Sequence, residues 1–415
     1  MSAAIVIKKS DFKEEQVINL TGSKSESNRA LILSALSQGK VMINNLSSAA
    51  DTVTLNKILT QDRESKSDKK VINVGPAGTA MRFLTAYFSF KGEQVEITGS
   101  DRMKQRPIGT LVNALTNLGA DLSYLETDGF PPVFINGPFE QKNLRVAIRG
   151  DISSQFLTAL LLLASSLPKG LELEIIDELT SKPYVDMTLA MLAQCGINHT
   201  WENDIISIQP QEFRPTTLTI EPDWSAASYW YSVAALAENA KIHLPNLKKD
   251  SLQGDSAVAG IMTLFGVHTT FEQDGIVIEK IHQEIKPQLL DFRECPDLAQ
   301  TVIVCAAILG KEFSFTGLET LKIKETDRIF ALQTELAKIG VKLIETQADI
   351  YQLDCLDMVI PEEISITTYE DHRMAMAFAP LAMIIGEVKI EESQVVEKSY
   401  PHFWEDFKKI GFSIK

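Results

Sequence analysis

The chain has 415 residues, 45% hydrophobic and 23% charged, a globular composition too long for one ordinary core. Its formal net charge of −15 argues against a nucleic-acid or acidic-membrane surface, so any bound anion must be held by local basic islands. Four cysteines without CxxC or zinc spacing, a first apolar run too short for a signal peptide, and no apolar block near the ~20 residues of a membrane span predict buried thiols in a cytoplasmic protein.

The first element with a chemical signature is TGSKSESNRALILSAL at 21–36. Gly22 and Lys24 ahead of an apolar helix suggest a Walker-type phosphate loop, but the rest of that glycine frame is missing. Lys24 and Arg29 instead fall in the first turns of the helix, where a cation opposes the helix dipole by about 0.3–1 kcal/mol. Either both are solvated or an anionic ligand offsets the cost.

From here an apolar helix, a turn of Gly or small residues and a short alternating strand recur six times. The strands begin near Val41, Val95, Leu171, Ile242, Phe313 and Val388, at steps of about 70 residues after a shorter first one. Six such units exceed one core, so three plus three is the natural division, with a boundary near 219–228 where Pro222 ends a strand. The helices open on SKSESNRA, GPAGTAMR, DISSQFLTA, DWSAASYW, CPDLAQTV and EDHRMAMA, most with Ser, Thr, Asp or Gly where an N-cap belongs. A helix N-terminus attracts anions. With pseudo-threefold repeats the N-termini of each domain would share a face, and two such faces would form an electropositive cleft suited to a multiply charged substrate.

Within these openings, Gly78 and Thr79 of GPAGTAMR would let backbone approach a ligand. DRMKQRPIG (101–109) gathers three cations in a loop that is a solvated surface unless it faces the cleft. Ser153, Ser154 and Gln155 make either an ordinary cap or a ligand contact, and TSKPYVD offers Ser181, Lys182 and Tyr184 ahead of a helix. In KIKETDRIF, Lys324 and Arg328 at i,i+4 share a helical face, a repulsion that a phosphate or carboxylate would relieve. Glu325 between them would be a proton donor if burial raised its pKa; the alternative is a salt-bridged surface helix. His372 and Arg373 stand at the mouth of an apolar helix, and no nucleophile elbow or paired base is present.

GSKSESNRA, AGTAMR, RMKQRPIG, SSQFLTALL, SKPYVD, KETDR, DHRMAMAF and EKSYPHFWEDF, in this order along nearly the whole chain, resemble the 5-enolpyruvylshikimate-3-phosphate synthase family. That resemblance implies transfer of the enolpyruvyl group of phosphoenolpyruvate to the 5-hydroxyl of shikimate 3-phosphate, with release of phosphate and no metal or organic cofactor. The implied fold is α/β: two inside-out α/β-barrel domains of three repeated units each, joined by two crossover strands. The domains would be 21–222, and 1–20 with 223–415, with the active site in the cleft between them, in a monomer.

Matching the family's motifs position by position, Lys24, Ser25, Arg29, Ser153, Ser154, Gln155, Ser181, Tyr184, Asp297 and Lys324 are implied contacts of shikimate 3-phosphate. Lys24, Gly78, Arg106, Gln155, Arg328, Arg373 and Lys398 are the implied contacts of phosphoenolpyruvate. The implied catalytic set is Lys24, Asp297, Lys324, Glu325 and His372, with Glu325 protonating the methylene carbon and either Asp297 or Lys24 as base. Three positions depart from the family pattern: Pro76 and Thr320 where Asn is frequent, and Phe83 where Pro is frequent, a change expected to shift its helix. They bear on substrate affinity and on the response to glyphosate, which Gly78 leaves room for and which is expected to compete with phosphoenolpyruvate. UDP-N-acetylglucosamine enolpyruvyl transferases share the implied fold but carry a reactive Cys in the loop corresponding to 101–109, where this chain has none. A non-catalytic scaffold for phosphorylated ligands would have no need of an acid at Glu325.

Overall fold

Several helices of this chain are apolar on every side, while its strands are short and alternate, so the helices must be enclosed and the sheets can be wet on one face. The computed structural model describes residues 4–64 and 70–415 and has that character. The helix Ser154–Ala164 buries every residue except Gln155, and Trp224–Leu236 every residue except Ser225. The strand Arg145–Arg149 points Val146 and Ile148 inward and Arg145, Ala147 and Arg149 outward.

Five four-stranded mixed sheets repeat one connection. Strand Lys70–Asn73 passes through the helix Gly78–Lys91 into its parallel neighbour Val95–Thr98, and the helix Gly109–Leu118 then leads to the hairpin Leu122–Tyr124 and Val133–Ile135. The last strand returns antiparallel beside Val95–Thr98. The same order recurs around the helices Ser154–Ala164, Trp224–Leu236, Ala299–Ile308 and His372–Phe378. The N-terminal segment supplies two of these sheets: Glu15–Val17 lies parallel to Lys241–Pro245, and Ile5–Lys9 sits between Glu387–Ile390 and Phe412–Ile414. The helix Lys24–Leu36 leads instead to Val41–Asn44, paired only with Thr216–Thr219 among the described residues. All six expected strands are present, and the helix that holds Phe83 runs unbroken from Gly78 to Lys91 with Phe83 buried.

Contacts divide the chain into two compact units, Gly22–Ile220 and Met1–Thr21 with Glu221–Lys415, each holding three of the sheets. A Cβ on Gly22 would stand 2.2 Å from the Asn45 carbonyl oxygen, so only glycine fits where the chain enters the first unit. In the other unit the Glu221 carboxylate accepts from Trp224 Nε1 at 2.8 Å, Lys248 N at 2.7 Å and Ser251 Oγ at 2.6 Å, fixing the entry to Trp224–Leu236. Among the described residues no helix is long and apolar enough to cross a membrane.

Candidate active site

In the unit Gly22–Ile220, Ser23 caps the helix Lys24–Leu36 by accepting from Glu26 N, so Lys24 and Arg29 project from its first two turns. Lys24 Nζ lies 3.6 Å from Asp51 Oδ2. Arg29 is buried. Its guanidinium donates to Thr188 Oγ1 at 2.8 Å, Ser25 O at 2.8 Å, Thr158 Oγ1 at 3.2 Å and Tyr184 O at 3.0 Å, with the Phe83 and Tyr184 rings about its carbon at 6.0 and 5.9 Å. Every acceptor is neutral, and among the described residues no carboxylate reaches ion-pair distance. Burial lowers the Arg29 pKa to about 10, against the opposing fields of Tyr184 and Glu26.

Tyr184 and Lys182 lie inside the first turn of the helix Lys182–Gln194 and not ahead of it, because Ser181 makes the turn. Ser181 does so at φ 56°, the left-handed region that costs a non-glycine residue about 1 kcal/mol or more. Lys182 points to Asp186 at 2.8 Å and to the Trp201 ring. Ser153 caps Ser154–Ala164 in extended conformation, accepting from Gln155 N, and Gln155 Nε2 reaches Thr79 Oγ1 at 3.5 Å. Beside Thr79, a Cβ on Gly78 would meet Arg106 NH1 at 2.6 Å: the glycine is the seat of that guanidinium. Of the three cations in the 101–109 segment, Arg106 is therefore held away from solvent while Arg102 and Lys104 stay partly exposed. Lys104 pairs with Glu126 at 2.6 Å, whereas Arg106 is buried.

The second unit handles charge differently. Arg328 opens the helix Arg328–Ala337 behind the N-cap Asp327, and Lys324 ends the preceding 3-10 turn Glu319–Ile323. The expected shared helical face of Lys324 and Arg328 is thus absent, because the capping turn separates them. Buried Arg328 donates to three carboxylates: Asp371 Oδ2 at 2.7 Å, Asp297 Oδ1 at 3.0 Å and Glu325 Oε2 at 2.9 Å. Lys398 Nζ takes the other Glu325 oxygen at 2.9 Å. Arg373 NH2 takes Asp297 Oδ2 at 2.7 Å and Ser225 Oγ at 3.3 Å, while its NH1 reaches Tyr229 Oη at 3.4 Å. Against the burial that would lower it, Asp371, Glu325 and Asp297 raise the Arg328 pKa. Burial alone would raise the Asp297 pKa, but Arg373, Lys324 and Arg328 hold it well below the usual carboxylate range. His372 is enclosed behind this network, its Nδ1 3.4 Å from Asp371 Oδ1. Thr320 lies in the 3-10 turn before Lys324, its Oγ1 enclosed and without a hydrogen-bond partner among the described residues.

One unit therefore brings together Arg29 with Ser25 and Tyr184, Gln155 with the Gly78 helix, and Gly78 with Arg106; the other brings together Asp297, Glu325, Arg328, Arg373 and Lys398. Reading the sequence alone misses Asp51, Thr158, Thr188, Ser225 and Asp371. Only Asp371 left a signal, as the capping residue of EDHR, where its Oδ1 accepts from Arg373 N. The others are single polar residues inside apolar or unremarkable segments. His243, Glu272 and Asp274 bring three metal-capable atoms within 4.8 Å of one another, and none belongs to either set. All four cysteines are free, and burial pushes the Cys195 and Cys355 thiols up to about 11 and Cys305 to about 12.

The fold is that of solved EPSP synthases: a structure from Acinetobacter baumannii superposes with a TM-score of 0.76 over 99% of both chains at 19% identity. Sequence relatives named 3-phosphoshikimate 1-carboxyvinyltransferase include one from Bacteroides fragilis, 45% identical over 96% of both chains, and one from Histophilus somni, 38% identical over 95% of this chain and 96% of its own. The family model described as EPSP synthase (3-phosphoshikimate 1-carboxyvinyltransferase) matches residues 11–64 and 60–407. The chain belongs to that family.

Proposed function

We propose that the two sets of residues serve one reaction. The chain transfers the enolpyruvyl group of phosphoenolpyruvate to the 5-hydroxyl of shikimate 3-phosphate. Each substrate brings a phosphate and a carboxylate, and the observation that carries the reading is how the two units are prepared for such anions. Arg29 is a buried cation whose hydrogen-bond acceptors are all neutral, which suits it to an anion of shikimate 3-phosphate alongside Lys24, Ser25, Ser153, Ser154, Gln155, Ser181 and Tyr184. Arg328, Arg373 and Lys398, with Lys24, Gly78, Gln155 and Arg106, take phosphoenolpyruvate.

In the second unit the protein's own carboxylates occupy the cations that the substrate needs. When phosphoenolpyruvate takes Arg328 and Lys398, Glu325 loses its two cationic partners and gains anionic neighbours, which favours its neutral acid. Glu325 then gives its proton to C3 while the 5-hydroxyl oxygen attacks C2, and Asp297, made more basic once phosphoenolpyruvate has taken Arg328 and Arg373, accepts the hydroxyl proton. The product is a tetrahedral ketal. As the C2–O bond to phosphate breaks, C3 returns a proton and the enol ether forms. General acid–base help of this kind contributes about 10²–10⁴-fold, and the fixed cations stabilise the charge that develops. Lys24, paired with Asp51, serves as a cation toward both substrates, Lys324 lies in the field of Asp297 toward shikimate 3-phosphate, and His372 braces Asp371 from behind.

The finer architecture is read as two inside-out barrels, 21–222 and 1–20 with 223–415, supported by enclosed helices and one-sided sheets, three to a unit. The protein works as a cytoplasmic monomer without a cofactor, and glyphosate competes with phosphoenolpyruvate. Phosphate release from the two substrates tests the reaction, and Glu325→Gln tests the acid: a loss of about 10²-fold or more in kcat is expected, and a full rate would remove Glu325 from that role.

A further inference from the structure

Tyr369 and Glu370 stand directly ahead of Asp371 and Arg373, and both lie at positive φ, 54° and 57°. Asp371 N donates to Thr368 O at 2.9 Å across them, which gives the segment the form of a type I′ turn. That turn favours Asn-Gly, and a bulky side chain stays in the left-handed region only where its surroundings hold it there. This turn is held. Tyr369 Oη donates to Glu335 Oε1 at 2.9 Å, and its ring meets the Phe330 ring edge-on at 6.5 Å. The other Glu335 oxygen accepts from Thr367 N at 3.2 Å and from Lys338 Nζ at 2.6 Å. Thr368 Oγ1 donates to Glu392 Oε2 at 3.0 Å, at the entry to the 3-10 turn Ser393–Lys398.

Glu335 and Arg328 are both buried on the helix Arg328–Ala337, about two turns apart and so on one face. One rigid element therefore carries Arg328 at its start and the acceptor for Tyr369 further along. Asp371 closes the circuit: its Oδ2 accepts from Arg328 Nε at 2.7 Å, and its Oδ1 accepts from Arg373 N at 2.8 Å. We infer that Tyr369 is a positioning residue for phosphoenolpyruvate, its bond to Glu335 holding the strained turn that sets Asp371 and Arg373 against Arg328; this rests on the reading of Arg328 and Arg373 as phosphoenolpyruvate ligands. Burial first, then the hydrogen bond to Glu335, push the Tyr369 hydroxyl up to about 12, so at neutral pH it is a donor. Without that hydroxyl the turn relaxes toward the favoured negative φ, and Arg373 moves with it. Most of the proposed shikimate 3-phosphate contacts come from the other unit, so the displacement falls on phosphoenolpyruvate.

The test is steady-state phosphate release by full-length Tyr369→Phe, which removes the hydroxyl and keeps the ring against Phe330. KM for phosphoenolpyruvate should rise about 5–10-fold, with KM for shikimate 3-phosphate staying within about twofold of wild type. A loss of stability alone would lower the active fraction and leave both KM values in place. Glycine adopts positive φ at no steric cost, so Glu370→Gly in the Tyr369→Phe background should bring KM for phosphoenolpyruvate most of the way back. An unchanged KM for phosphoenolpyruvate, an equal rise for both substrates, or no recovery with the glycine overturns the inference. A rise confined to shikimate 3-phosphate, or no phosphate release by wild type, would instead overturn the functional reading on which it rests.

Discussion

Arg29 and Arg328 are both buried arginines near the start of a helix, yet their surroundings are opposite in kind. Around Arg29 stand two threonine hydroxyls, two carbonyls and two aromatic rings, and its pKa falls to about 10. Around Arg328 stand three carboxylates, and its pKa rises. A cation buried without a counter-ion carries a desolvation cost that an incoming anion removes, so such a site is built for binding at the expense of stability. A cation already balanced gains nothing from an anion unless a resident carboxylate gives way. In the proposed reaction that exchange turns binding at Arg328 into a change in the protonation of Glu325, which would make the first unit the one prepared for affinity and the second the one prepared for chemistry.

The contrast predicts different penalties for similar substitutions. Arg328→Gln removes the buried cation that Asp297, Glu325 and Asp371 share, and denaturant unfolding should show a loss of about 3–5 kcal/mol as well as loss of turnover. If that variant unfolds like wild type, the three carboxylates are not the charge frame described. Gly78→Ala perturbs a smaller element, the seat of Arg106. The new Cβ would stand 2.6 Å from Arg106 NH1, and displacing that guanidinium should raise KM for phosphoenolpyruvate by about 10-fold with little change in kcat. An unchanged KM would show that Arg106 does not depend on that seat.

How much of this was legible in the sequence follows from what each feature depends on. The six helix–strand repeats were readable because apolar periodicity and turn residues are local, and every strand start fell within a residue or so of the observed one. The cations Lys24, Arg29, Arg328 and Arg373 were readable because their motifs are contiguous. Lys324 and Arg328 were wrongly set on one helical face, since Asp327 acts as a cap and begins the helix only at Arg328. Asp371 and Ser225 were not assigned because their place in the site depends on partners 43 and 148 residues away in sequence. Phe83, flagged as a departure, proves to be part of the aromatic surround of Arg29, which only the packing of Lys24–Leu36 against Gly78–Lys91 makes visible.

The most direct test of the contrast is to measure shikimate 3-phosphate affinity and unfolding stability on the same Arg29→Gln protein. Losing one charged contact should weaken binding about 10–100-fold. Removing the uncompensated charge offsets the lost hydrogen bonds, so stability should stay within about 1.5 kcal/mol of wild type. Unchanged affinity, or a stability loss as large as that of Arg328→Gln, would contradict the assignment of Arg29 as an anion receptor.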